Sequence, residues 1–206
     1  VTGKYATEND IKETQLDITY AKNMRLTPEK IRDMDTDVEK FPEIFRTYNA
    51  KLRQMQMIDY DDQMIYALRI LEQYPEVLAH FREQYRYFCV DEAQDTSKIQ
   101  HAIIALLAAG TGNLFMVGDV KQSIYRFRLS RPELFLEKYS TYTSEESAHQ
   151  KIELHQNFRS RDHILESINA IFYRIMTEKL GNISYTEDAA LHPGAAFEER
   201  DGLDEL

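Results

Sequence analysis

Two acids side by side, Asp91 and Glu92, follow a short apolar run, Tyr87-Phe88-Cys89-Val90, and are the first residues of this chain whose types and order could do chemistry. At the carboxyl end of a strand, where ligands of open α/β sheets gather, an aspartate can hold magnesium through its water shell. A neighbouring carboxylate can there polarise the water that attacks a γ-phosphate. Taken alone, the pair is the ordinary way for a strand to return to solvent. A second stretch interleaves Lys121, Arg126, Arg128 and Arg131 with Tyr125 and Phe127. Aromatic faces accept any base at about 1–3 kcal/mol per stacked base and guanidinium groups follow phosphates, so this composition suits sequence-tolerant binding of a single strand. Its alternative is an amphipathic turn with the aromatics packed inward and the charges solvated.

The chain around these residues is 206 long and 43% hydrophobic, enough for one compact domain or two small ones. Its net charge of −10 argues against a globally basic, architectural nucleic-acid binder, so any nucleic-acid contact is local. One cysteine forms no internal disulfide, which makes a reducing, cytoplasmic compartment and a soluble protein the expectation. No apolar run approaches the roughly 20 residues of a membrane span. The opening Val1-Thr2-Gly3 and the closing Asp204-Glu205-Leu206 suggest a piece of a longer protein.

Periodicity supplies the elements. Residues 1–40 are polar, with weak helical character and Pro28 and Pro42 as punctuation. Phe41, Ile44, Phe45, Tyr48, Leu52 and Met55 recur at helical spacing, and a second helix opens at Asp59, Asp61 and Asp62, carries Ile65, Leu68 and Leu71, and stops before Pro75. A short helix over 76–85 follows. Then 87–90 reads as a buried strand, 97–109 as a helix capped by Ser97 and closed by Gly110, and 114–117 as a second buried strand. Strand, helix, strand implies a parallel sheet with a right-handed crossover. A helix over 132–139, a polar linker near 141–150, a third strand over 151–154 and a long helix capped by Ser160 complete the chain. That last helix carries Ile164, Ile168, Ile171, Phe172 and Ile175 on one face.

Other features carry less. Gly110-Thr111-Gly112 follows a helix and precedes a strand, the reverse of a phosphate cradle. Acids at 59, 61 and 62 suit a helix's first turn better than a metal cluster. No histidine shows zinc-ligand spacing, and Cys89, inside an apolar strand, is expected to be a packed, inert thiol.

Three blocks in order change the weight of the first pair: Val90-Asp91-Glu92-Ala93-Gln94-Asp95-Thr96, then 117–128 from Val117-Gly118-Asp119 through Gln122-Ser123-Ile124-Tyr125 to Arg128, then Leu154-His155-Gln156-Asn157-Phe158-Arg159-Ser160. They closely resemble motifs II, III and IV of the superfamily 1 DNA helicases of the UvrD/Rep type. Within that family, 119–128 followed by Arg131-Pro132-Glu133-Leu134-Phe135 is most similar to the AddA (RexA) helicase-nuclease subunits, whereas UvrD and Rep usually carry tryptophan where this chain has Phe127. Asp59-Tyr60-Asp61-Asp62 resembles a further landmark of these helicases, with Gln63 in place of the usual leucine. The similarity covers roughly residues 58 to 175; residues 1–57 match only in helical character.

The resemblance implies an α/β fold, a RecA-like parallel sheet with flanking helices, partial in this chain, plus a helical N-terminal segment. It divides the chain into the tail of a helical accessory insert over 1–57, the central and C-terminal part of a first RecA-like domain over 58–145, and the start of a second over 146–206. It implies that Asp91 holds magnesium, that Glu92 is the general base for ATP hydrolysis, and that Gln94 links the nucleotide pocket to neighbouring motifs. Gln122 would sense the γ-phosphate, Arg159 would reach it as an arginine finger, and Phe158 would stack on adenine. Tyr125, Phe127 and Arg128 would contact DNA. The implied cofactors are ATP and Mg2+, and the implied partners are single- and double-stranded DNA ends and a second, AddB/RexB-like subunit, with no membrane. No Gly-x-x-x-x-Gly-Lys-Ser/Thr occurs in the chain, so these residues by themselves are expected to be inactive. A UvrD-like helicase without nuclease and a non-catalytic DNA-binding scaffold are the competing readings.

Overall fold

The computed structural model describes residues 5–110, 112–123, 129–145, 147–177, 179 and 184–198. The chain divides into two units, Val1–Thr141 and Tyr142–Leu206.

The first unit begins with helices whose starts are written locally. α1 (Glu8–Asn23) opens on a capping box, Thr7 accepting from the Asp10 amide while Asp10 accepts from the Thr7 amide. Pro28 occupies the first turn of α2 (Pro28–Arg32) and Pro42 that of α3 (Phe41–Gln54), where a missing N–H costs nothing. The punctuation in the sequence is therefore helix entry. Ile18, Ala21, Ile31 and Phe41 form one buried core, flanked by Phe45 and Tyr48 of the α3 stripe.

α4 (Tyr60–Gln73) starts at Asp59, whose carboxylate accepts from the Asp62 amide, and α5 (Pro75–Gln84) follows directly. The Ser97 hydroxyl accepts from the Gln100 amide at the start of α6 (Lys98–Ala108), as the capping signal anticipates. Ile65 and Leu68 of α4 meet Ile99 of α6 in a second core. β1 (Phe88–Val90) and β2 (Leu114–Met116) pair in parallel, Phe88 opposite Leu114, Cys89 opposite Phe115 and Val90 opposite Met116. α7 (Pro132–Thr141) closes the unit.

The sheet departs from expectation in its burial. Alternate residues face opposite sides of a strand, and the side carrying Cys89 and Phe115 is open: Phe115 is 57% exposed and the Cys89 thiol is exposed. Cys89 is thus not a packed thiol. Among the described residues, no layer covers this face of the β1–β2 pair.

In the second unit, residues 151–155 form no strand, and β3 is instead Gln156–Asn157, pairing in parallel with β4 (His192–Pro193). α8 (Asp162–Ile175) is capped at Arg161 without a side-chain hydrogen bond, so Ser160 is not its cap. The face of α8 is also rotated from the expected stripe: Leu165 is its buried residue, while Ile171 and Ile175 are exposed. The Asn169 amide draws Leu191 onto this helix, donating to its carbonyl at 2.9 Å and accepting from its amide at 3.0 Å.

Candidate functional site

The carboxyl end of β1 turns sharply. Glu92 has φ +50°, a left-handed conformation uncommon for a residue with a side chain. Its amide donates to Asp91 Oδ1 at 2.9 Å, and the chain passes into a 3-10 turn over Ala93–Asp95. The backbone ladder continues past the strands, Val117 N–H donating to Val90 O and Ala93 N–H to Val117 O, each at 2.8 Å. The residues after β1 and those after β2 are thereby fastened at one end of the sheet.

Gln94 joins them through its side chain. It is fully buried, its Nε2 donates to Glu92 Oε2 at 2.7 Å, and its Oε1 accepts from the Asp119 amide at 3.0 Å. A carboxylate only accepts and an amide N–H only donates, so this pair of partners fixes which way the carboxamide points. Asp119 extends the chain of contacts: Oδ1 accepts from the Lys121 amide at 3.0 Å, and Oδ2 accepts from Gln122 Nε2 at 3.0 Å. Glu92, Gln94, Asp119 and Gln122 form one hydrogen-bonded series, with Asp91 at its start. Asp91, Glu92 and Gln122 are exposed, while the connecting Gln94 is sealed.

The far end of the segment after β2 returns to the same place. The Arg131 amide donates to Thr96 O at 2.9 Å, and Ser130 pairs with Ser97 in an isolated antiparallel bridge. The buried Thr96 hydroxyl donates to Ala93 O at 2.8 Å and stiffens the turn that receives it. Both ends of 119–131 are therefore tied to 94–97. Tyr125, Phe127 and Arg128 lie outside the described residues.

In the second unit, Asn157 Oδ1 accepts from the amides of Arg159 and Ser160, both at 2.9 Å, which turns the chain just after β3. Phe158 is 65% exposed, and its ring lies over Gly194, where a Cβ would come within 2.8 Å of Phe158 Cε1. Among the described residues, no hydrogen bond or ion pair holds the exposed Arg159 guanidinium.

Asp119, Gly118 and Asn157 sit inside the quoted motifs without an assigned role in the sequence reading, yet they hold the candidates in place. A short acceptor two residues before the amide it serves, as in Asp119 to Lys121 and Asn157 to Arg159, is the local signal that marks such anchors. Among the described residues, no group of three or more His, Cys, Asp or Glu is arranged to hold a metal ion. Asp91 and Glu92 are adjacent accessible carboxylates at this end of the sheet. That fits magnesium, which keeps most of its water and takes one or two protein carboxylates with substrate phosphates. No described helix is long and apolar enough to cross a membrane.

Comparison with known proteins gives a consistent result. The profile of the UvrD/REP helicase N-terminal domain matches residues 3–143. The chain is 44% identical over 163 residues to an ATP-dependent helicase/nuclease subunit of Lactococcus lactis subsp. cremoris strain SK11, covering 79% of this chain and 14% of that protein. It is 42% identical over 161 residues to the protein of the same name from Lachnoclostridium phytofermentans, covering 73% of this chain and 12% of that protein. Against the exonuclease/helicase subunit RexA of Lactococcus lactis subsp. cremoris strain MG1363 it is 43% identical over 163 residues, with 79% and 14% covered. The chain thus spans 12–14% of the length of these relatives.

Proposed function

The chain belongs to the family of the UvrD/REP helicase N-terminal domain, and from that premise we propose that it is the central part of an ATP-dependent DNA helicase/nuclease subunit. In this reading the longer protein couples ATP hydrolysis to movement along single-stranded DNA during double-strand-break repair, beside a second helicase-nuclease subunit in the cytoplasm. The β1–β2 sheet with α6 belongs to a first RecA-like domain, and the unit from Tyr142 begins a second. The names of the relatives support the helicase and nuclease assignments.

The observation that carries the proposal is the hydrogen-bonded series from Glu92 through Gln94 and Asp119 to Gln122. Phosphoryl transfer needs positioning and charge stabilisation more than covalent chemistry, and this series aligns a carboxylate and a carboxamide along one sheet end. Glu92 orients the attacking water and takes its proton; Gln122 contacts the γ-phosphate; Arg159 acts as an arginine finger, supplying positive charge to a phosphate. Asp91 would hold a magnesium ion, which would supply positive charge to the phosphates. Phe158 offers its exposed ring to the adenine. Tyr125, Phe127 and Arg128 grip the single strand.

The test is ATP hydrolysis by the full-length protein in the presence of single-stranded DNA, with Glu92→Gln alongside. The reading expects the variant to bind nucleotide normally and to lose turnover by more than about 100-fold. Hydrolysis undiminished by Glu92→Gln removes the assignment.

A further inference from the structure

Gln94 is the residue with the least freedom in the site and no access to any ligand. It is fully buried, both ends of its carboxamide are engaged, and its neighbours explain why. A Cβ on Gly118 would lie 2.6 Å from Gln94 Oε1, 3.2 Å from Phe135 Cζ and 3.3 Å from the Gln94 backbone nitrogen. The first of these distances is not tolerated by any real Cβ. A buried carboxamide has no solvent to swing into, so a side chain at 118 displaces it. The two residues are complementary: glycine at 118 leaves the volume that the Gln94 amide fills.

We infer that Gln94 is a positioning residue for Glu92, and that Gly118 is glycine in order to seat it. This rests on the reading of Glu92 as the base. A glutamate side chain at an exposed strand end has several rotamers open to it, and the 2.7 Å bond from Gln94 Nε2 selects one for the Oε2 oxygen. The other oxygen, Oε1, is left to the water. Because Gln94 Oε1 accepts from the Asp119 amide and Asp119 in turn holds the Gln122 side chain, the same carboxamide sets the separation between the base and the phosphate sensor. Displacing it misplaces both without removing either. Misplacement of catalytic groups by about 1 Å costs on the order of 100-fold in rate.

The experiment uses the full-length protein and measures kcat and KM for ATP in four forms: wild type, Gln94→Met, Gly118→Ala and the double variant, with Glu92→Gln as the control. Methionine keeps the buried length and removes both hydrogen bonds. Expected are kcat falls of about 10- to 100-fold in each single variant with KM changed less than about threefold. The double variant is expected to be little worse than Gln94→Met alone, because Gly118→Ala acts by displacing a carboxamide already gone. Should Gln94→Met prove unstable by thermal melting, Gln94→Asn, which keeps the amide but falls short of Glu92, takes its place with the same expectation. A kcat within threefold of wild type, a KM loss as large as the kcat loss, or fully multiplicative effects in the double variant would overturn the inference. If Glu92→Gln itself hydrolyses ATP normally, the reading of the base fails first, independently of Gln94.

Discussion

Lys22 Nζ lies 2.6 Å from Asp59 Oδ2, joining the last turn of α1 to the cap of α4. The lysine is 4% exposed, Asp62 Oδ1 is 2.8 Å away, and the Tyr48 ring stands beneath the ammonium at 5.2 Å from its centroid. The Tyr48 hydroxyl donates to the same Asp59 oxygen at 2.8 Å. Asn23 and Arg25 continue the seam, to Asp61 Oδ1 at 2.8 Å and to Glu72 Oε1 at 2.8 Å. The acids at 59, 61 and 62 thus serve the helix dipole and also receive the end of α1.

Removing the cation leaves two carboxylates facing a nearly dry pocket. Lys22→Met is expected to destabilise the first unit by about 3 kcal/mol, the lower end for breaking a buried pair, because Asp59 and Asp62 retain some access to water. Urea unfolding measures it.

The same cluster sets two limits in pH. Burial pushes the Asp59 carboxyl up, but the Lys22 ammonium, the Asp62 amide and the Tyr48 hydroxyl outweigh it and hold the group below its ordinary value. A depressed carboxyl stabilises the fold above the unfolded value of about 4 and loses that contribution as pH falls through the folded value. Burial first, then the hydrogen bond to Asp59 and the charges of Asp59, Asp62 and Asp61, raise the Tyr48 phenol to about 12. A raised phenol contributes below the unfolded value of about 10, and that contribution is lost as pH rises through the folded one. Urea midpoints across pH are expected to fall at both ends, with Tyr48→Phe flattening the alkaline limb.

At α6, Ser97→Ala removes the acceptor for the Gln100 amide and, with it, half of the capping box. The expected loss is about 1 kcal/mol, read as a shift in thermal melting with unchanged helical signal. A loss well beyond that would mean that the Ser97–Ser130 bridge also depends on the hydroxyl.

Arg159 has its backbone fixed by Asn157 and its guanidinium exposed. Arg159→Ala in the full-length protein is expected to lower turnover far more than nucleotide affinity, since an arginine finger acts on charge that develops in the transition state. Steady-state kinetics beside direct nucleotide binding separates the two; equal losses in both would assign Arg159 to ground-state binding.

What the sequence reveals here follows from how local the signal is. Asp59 and Ser97 announce their helices because a cap is made within three residues. Ile152 and Leu154 alternate like a strand but are 67% and 86% exposed, and pairing falls instead on Gln156 and Asn157, because the partner strand at His192–Pro193 is distant in sequence. Ser160 looks like a cap, yet its amide is already turned by Asn157 and the helix starts one residue later. Cys89 reads as core because its neighbours are apolar; whether a strand face is covered depends on layers that pairing within 88–116 does not supply. In the candidate site the chemical groups and the linking Gln94 were legible by type and motif, whereas the partners of its carboxamide, Glu92 and the Asp119 amide, and the room that Gly118 leaves for it emerged only from three dimensions.

The two ties of 119–131 onto 94–97 leave these stretches inseparable as hereditary parts. A chimaera that borrows the later stretch from a relative without the earlier one inherits mismatched anchors at Asp119 and Arg131 alike. The smallest piece that can be exchanged between such proteins is the pair.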